Sequence, residues 1–121
     1  MELKRVVVTG IGAVTPLGNN KNDYWDALAK GVSGAAPITR FDSEKFRTKF
    51  ACEVKGFDPL DFLDRKEARK MDPNSHYGMV AGDEAIVDSG LDLEKTNKDR
   101  IGVIWGSGIG GFTTFQDEVV S

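Results

Sequence analysis

Apolar positions fall into short runs of differing period, and the periods predict alternating strands and helices. Val6-Val7-Val8 is purely β-branched with no polar residue alternating into it. That predicts a strand buried on both faces, as in a parallel sheet. Ile101-Gly102-Val103-Ile104-Trp105 reads as a second buried strand. Phe50-Ala51-Cys52-Glu53-Val54-Lys55 alternates instead, with Phe50, Cys52 and Val54 on one side, which predicts a half-buried strand. Asn22 is placed to cap a helix running to Lys30, with Trp25, Leu28 and Ala29 as its buried face and Gly31 just past its end. Asp58-Pro59 starts a short helical turn through Phe62 and Leu63. Asp72-Pro73 opens a longer helix to about Asp88, closed by Gly90. In it Gly78 and Gly82, four apart, leave a flat strip for another backbone. A last helix begins at Phe112. Strand, glycine loop and helix occur twice, so the expected architecture is α/β with a largely parallel sheet.

Composition narrows the function classes. The net charge is −3, which excludes a nucleic-acid partner, because neutralising phosphates requires a basic field. One Cys rules out a disulfide framework within the chain, and one His with one Cys cannot supply four zinc ligands, so no metal site is expected. Neither a long apolar leader nor a run of about 18 apolar residues is present, so the expected location is the cytoplasm, with no membrane span. Glycine is the outlier, 14 residues of 121, well above the roughly 7% of average proteins. Glycines gather at two strand exits, Gly10 to Gly18 and Gly106 to Gly111.

Four features could carry chemistry. Gly106-x-Gly108-x-x-Gly111 formally matches a dinucleotide-binding fingerprint, between an expected strand and an expected helix. The acidic residue that would complete it, about 20 residues on, would lie beyond Ser121. The alternative is a tight strand exit with no ligand. Cys52 is the only thiol, but its strand pattern makes it a small buried hydrophobe and not a nucleophile. His76, in the first turn of its helix, has no assignable partner and reads as a surface or capping residue. Lys66, Arg69 and Lys70 share one face if their segment is helical. They form a positive patch on an acidic chain, suited to steering an acidic partner, against the plainer reading of a solvated face.

Taken together, the motifs are familiar. Arg5-Val6-Val7-Val8-Thr9-Gly10-Ile11-Gly12, Thr15-Pro16-Leu17-Gly18 and Trp25 resemble the start of the β-ketoacyl-acyl-carrier-protein synthases. Phe41-Asp42, Lys49-Phe50-Ala51, Arg65-Lys66-Glu67-Ala68-Arg69-Lys70-Met71-Asp72 and Gly106-Ser107-Gly108-Ile109-Gly110-Gly111 are similar to the elongating, bacterial type II enzymes of that family. The resemblance covers the whole chain in the expected order.

The resemblance implies a thiolase-like, layered α/β/α/β/α fold built from two similar halves. Residues 1–121 would be the N-terminal part of the first half. It implies an acyltransferase that condenses an acyl thioester with malonyl-acyl carrier protein, works as a homodimer and needs no metal or dissociable cofactor. The family's nucleophile sits in an Ala-Cys-Ser/Thr-Ser/Ala context, which Ala51-Cys52-Glu53 does not match. The catalytic Cys and two His are therefore expected outside this chain, which carries no catalytic residue. Two partial sites carry over. Lys66, Arg69 and Lys70 match the family's patch for the acidic carrier protein, and Ile109 with Gly108 matches its acyl-chain pocket. A polyketide-type ketosynthase and a dinucleotide-binding module remain the alternatives.

Overall fold

Two units make up the chain, and the computed structural model describes every residue of both, Met1–Ser121. The first unit is Ala13–Asp58 and the second joins Met1–Gly12 to Pro59–Ser121.

In the first unit, Thr15 and Gly18 close a tight turn around Pro16-Leu17, with Thr15 N–H donating to the Gly18 carbonyl at 2.8 Å. Helix α1 (Lys21–Ala29) follows. Its cap is Asn20 and not Asn22: the Asn20 side chain accepts from Asp23 N–H at 2.9 Å and donates to the Asp23 carboxylate at 2.8 Å. The helix ends as expected, with Gly31 at φ 67° and Val32 N–H donating back to the Ala27 carbonyl. The expected buried face is not buried. Trp25 and Leu28 are exposed, and the half-buried positions are Lys21, Tyr24 and Ala27.

Strands β1 (Ala35–Pro37) and β2 (Phe50–Cys52) pair antiparallel, with Ala36 opposite Ala51. This two-stranded sheet is the only one, and it is not parallel. Its burial runs opposite to the alternation read from sequence: Ala51 is half-buried while Phe50 and Cys52 are exposed. No apolar layer of this unit covers the face that carries the larger side chains.

In the second unit, a 3-10 turn at Pro59–Asp61 leads to the short helix α2 (Arg65–Ala68). Asp64 caps it, accepting from Lys66 N–H at 2.7 Å and Glu67 N–H at 3.3 Å. Helix α3 (Pro73–Ser89) has proline at its start and ends at Gly90, φ 67°, within a residue of the expected bounds. Helix α4 (Phe112–Val120) follows the second glycine loop. Another 3-10 turn, Lys98–Arg100, lies in the polar connection.

The two expected buried strands are not strands here. Val6-Val7-Val8 and Ile101 to Trp105 pair with no other segment, and Val8 is 81% and Ile104 99% exposed. A parallel strand needs a neighbour on each edge and a layer over each face, and this chain provides neither. What the second unit does provide is helix α3 as a scaffold. Ile11 N–H donates to the Asp88 carboxylate at 2.9 Å. The Gly12 backbone lies so close on the Ala81 carbonyl that no side chain would fit. Gly78 meets the Trp105 indole, not a backbone, and Gly82 faces open space. Only Ala68 and Val80 are buried.

Candidate functional site

The basic segment is helical, as its charge spacing requires. Past α2, Arg69 N–H donates to the Arg65 carbonyl and Lys70 N–H to the Glu67 carbonyl, so the turn continues through Lys70. Lys66, Arg69 and Lys70 are all exposed. They are not equivalent. Lys70 Nζ is 2.9 Å from Glu67 Oε1, which neutralises part of its charge, while Lys66 and Arg69 pair with no carboxylate.

The patch is anchored through α3. His76 Nε2 lies 2.8 Å from the carbonyl oxygen of Ala68, one of the two buried residues. A carbonyl only accepts, so Nε2 carries the proton. His76 is half-buried and ties α2 to the first turn of α3, a firmer role than the surface or capping residue expected.

The second glycine loop ends on the same turn of α3. Gly111 stands at the N-cap position of α4 with φ 69° and has no side chain to cap with. Asp72 supplies the missing acceptor: Thr114 N–H donates to Asp72 Oδ2 at 3.3 Å, and the Thr114 hydroxyl donates to Asp72 Oδ1. Gly110 lies close against Asn74, whose Nδ2 would lie 2.7 Å from any Cβ there. Gly106 and Gly108 face open space, and Ile109 is exposed.

This geometry leaves the dinucleotide alternative without its site. The N-terminus of α4, where a pyrophosphate would sit, is already occupied by the Asp72 carboxylate. The preceding segment is not a paired strand either. Cys52 is exposed, not buried as expected, and is the last residue of β2. No three His, Cys, Asp or Glu side chains come together as metal ligands, and no helix is long and apolar enough to cross a membrane.

An apolar groove of about 520 Å³ runs along α3, lined by Met71, Gly78, Met79, Gly82, Ile104 and Trp105 among others. Ile109 does not line it. The structure therefore brings the three basic residues together on one turn and places the Ile109 loop on the adjoining start of α3. It does not enclose Ile109 in a pocket. Asp72 and Thr114 were missed from sequence because Asp72-Pro73 looked like an ordinary cap for its own helix. The available signal was Gly111, a helix start without a capping side chain.

Residues 3–120 match the family described as β-ketoacyl synthase, N-terminal domain, and the chain belongs to that family. It is 49% identical over 118 residues to the 3-oxoacyl-[acyl-carrier-protein] synthase 2 of Synechocystis sp., covering 98% of this chain and 28% of that relative. It is 51% identical over 111 residues to the protein of the same name from Coxiella burnetii, covering 92% and 27%. The chain thus spans little more than a quarter of the length of these relatives.

Two solved structures resemble it over 98% of its length and cover 30% of their own. One is a type II polyketide synthase acyl-carrier protein in complex with its ketosynthase bound to a hexaketide, with TM-score 0.76 and 30% identity. The other is a β-ketoacyl synthase from Burkholderia phymatum, with TM-score 0.72 and 29% identity. The fold is the thiolase-like α/β fold of the ketosynthases, and this chain corresponds to its N-terminal part.

Proposed function

We propose that residues 1–121 are the N-terminal part of the first thiolase-like half of a 3-oxoacyl-acyl-carrier-protein synthase of the elongating type. Identity of 49–51% to synthases of that name, across nearly the whole chain, is the observation that carries this proposal. In the complete enzyme an active-site Cys exchanges with an acyl thioester and releases the carrier thiol. Malonyl-carrier protein then loses carbon dioxide, and the resulting enolate attacks the acyl-Cys carbonyl. The Cys leaves, and a 3-oxoacyl chain two carbons longer remains on the carrier. Donors aimed at the enolate and at the oxyanion lower the barrier.

On this reading the Cys and its two His partners lie outside the present residues. Lys66, Arg69 and Lys70 receive the acidic acyl carrier protein, and Ile109 with Gly108 lines the acyl pocket. The enzyme is a cytoplasmic homodimer that uses no metal or dissociable cofactor. The polyketide-type ketosynthase stays as a second reading because one of the structures described above is of that type.

The test is incubation of the complete enzyme with acyl- and malonyl-carrier protein. A product lengthened once, by two carbons, is the expected result, with none from residues 1–121 alone. Repeated extension to a poly-β-keto chain would favour the polyketide reading. Product from the 121 residues alone would overturn the placement of catalysis elsewhere.

A further inference from the structure

We propose that Asp72 is a positioning residue for acyl-chain selection: its carboxylate holds the end of the Gly106–Gly111 loop, and with it Ile109, against the start of α3. The inference rests on the proposal that Ile109 lines the acyl pocket.

An Asp at a helix N-cap ordinarily accepts from the N–H groups of its own first turn. Asp72 occupies that place before α3, at φ −81° and ψ 163°, yet makes no side-chain bond to α3. Its two oxygens turn instead to Thr114, the third residue of α4, and take both the backbone N–H and the hydroxyl. The carboxylate also places negative charge where the α4 dipole is positive.

The loop is held at one end only. Gly110 lies against Asn74, two residues beyond Asp72, and the Cβ direction of Gly111 points toward Asp72 Oδ2. Nothing touches the Cβ directions of Gly106 and Gly108. Ile109 immediately precedes this pair, which leads into the tethered start of α4, so its placement depends on the tether and not on packing around its own side chain, which is 76% exposed. Because α3 is also bonded to α2 through His76, the loop and the basic turn share one support.

The experiment uses the complete enzyme and acyl-carrier substrates of graded chain length. Asp72→Asn and Thr114→Val should raise KM for the longest acyl chains about ten-fold, as expected for loss of a charge-assisted hydrogen bond that positions the pocket. The kcat for the shortest chain and the carrier-protein Kd should stay at their original values, and Thr114→Ser, which keeps the hydroxyl, should keep the original profile. Equal loss at every chain length, in step with a lower Tm, would assign Asp72 a structural role only and overturn the proposal. An unchanged profile would overturn it too. Asp72→Ala is the harsher variant; where it does not fold, Asp72→Asn and Thr114→Val decide. Ile109→Phe is the separate arm. If it leaves chain-length preference unaltered, the pocket assignment fails and the inference with it; if it shifts preference while Asp72→Asn does not, only the inference fails.

Discussion

The carboxylate of Asp72 caps helix α4 at Thr114, 42 residues further along the chain, and leaves its own helix α3 without a side-chain cap. This is tolerated because the Ser75 N–H, one of those a side-chain cap would accept, donates instead to the Asp72 main-chain carbonyl at 2.9 Å. Gly111 explains why α4 needs it. Asp72→Ala should cost about 1 kcal/mol, the usual value of a helix cap. The loss should be local: amide exchange at Thr114 should accelerate while exchange in the middle of α3 stays slow. Equal acceleration in both helices would show that the bond is not specific to α4.

Gly78 and Gly82 sit one turn apart on α3 but in different surroundings. A Cβ at Gly78 would lie 2.6 Å from the Trp105 ring, whereas at Gly82 nothing lies within 4 Å. Gly82→Ala should therefore stabilise by up to about 1 kcal/mol through helix propensity. Gly78→Ala should destabilise by about 1–3 kcal/mol through overpacking, with a shift in Trp105 fluorescence as the indole is displaced. Denaturant midpoints of the two variants moving in the same direction would contradict this contrast.

Glu53 closes the start of the long β1–β2 connection. The Thr39 hydroxyl donates to its carboxylate at 2.8 Å, and the backbone N–H groups of Thr39 and Arg40 add to it. The Thr39 hydroxyl first, then those N–H groups and the Arg40 charge, hold the carboxyl below the usual glutamate range. A lowered folded-state value means that the clamp contributes above the unfolded pKa of about 4.3 and is lost as pH falls through the lowered value. Thr39 and Arg40 amide shifts should follow one titration in that acidic window. Glu53→Gln should abolish it, and persistence of the titration in that variant would assign it to another group.

Helix C-terminal ends and the start of α3 were legible in the sequence because they depend on neighbours in the chain, whereas the cap of α1 is Asn20, two residues before the Asn22 expected. Gly31 and Gly90 both adopt the left-handed conformation expected of them, and Pro73 begins its helix. The strand at Phe50–Cys52 was legible, but the two expected buried strands were not, because Val6-Val7-Val8 and Ile101 to Trp105 are shaped for layers that no residue of this chain provides. The same limit governs Trp25, Phe50 and Cys52, whose spacing marks a face but not what covers it. In the candidate site, charge spacing placed Lys66, Arg69 and Lys70 on one helical turn, as the structure has them. It could not find the Asp72–Thr114 bond, because sequence period carries no information about pairs so far apart.

The basic turn gives the last prediction, and the structure makes it unequal among its members. Lys66 and Arg69 project into solvent without a carboxylate partner, while Lys70 is held 2.9 Å from Glu67 Oε1. An acidic carrier protein would gain the most from the two unpaired cations and less from the third, whose charge is already compensated. In the complete enzyme, Lys66→Ala and Arg69→Ala should each weaken carrier-protein binding about 2–5-fold at low ionic strength, the range of a rim charge. Removing the neutral pair together, Glu67→Gln with Lys70→Ala, should weaken it less, because the pair carries no net charge. Raising salt should reduce the differences among the three as screening removes the long-range term. An effect of that double variant equal to or larger than that of Arg69→Ala, measured by calorimetry, would mean that the Lys70–Glu67 pair opens on docking and that the free-state charge pattern does not set the contact.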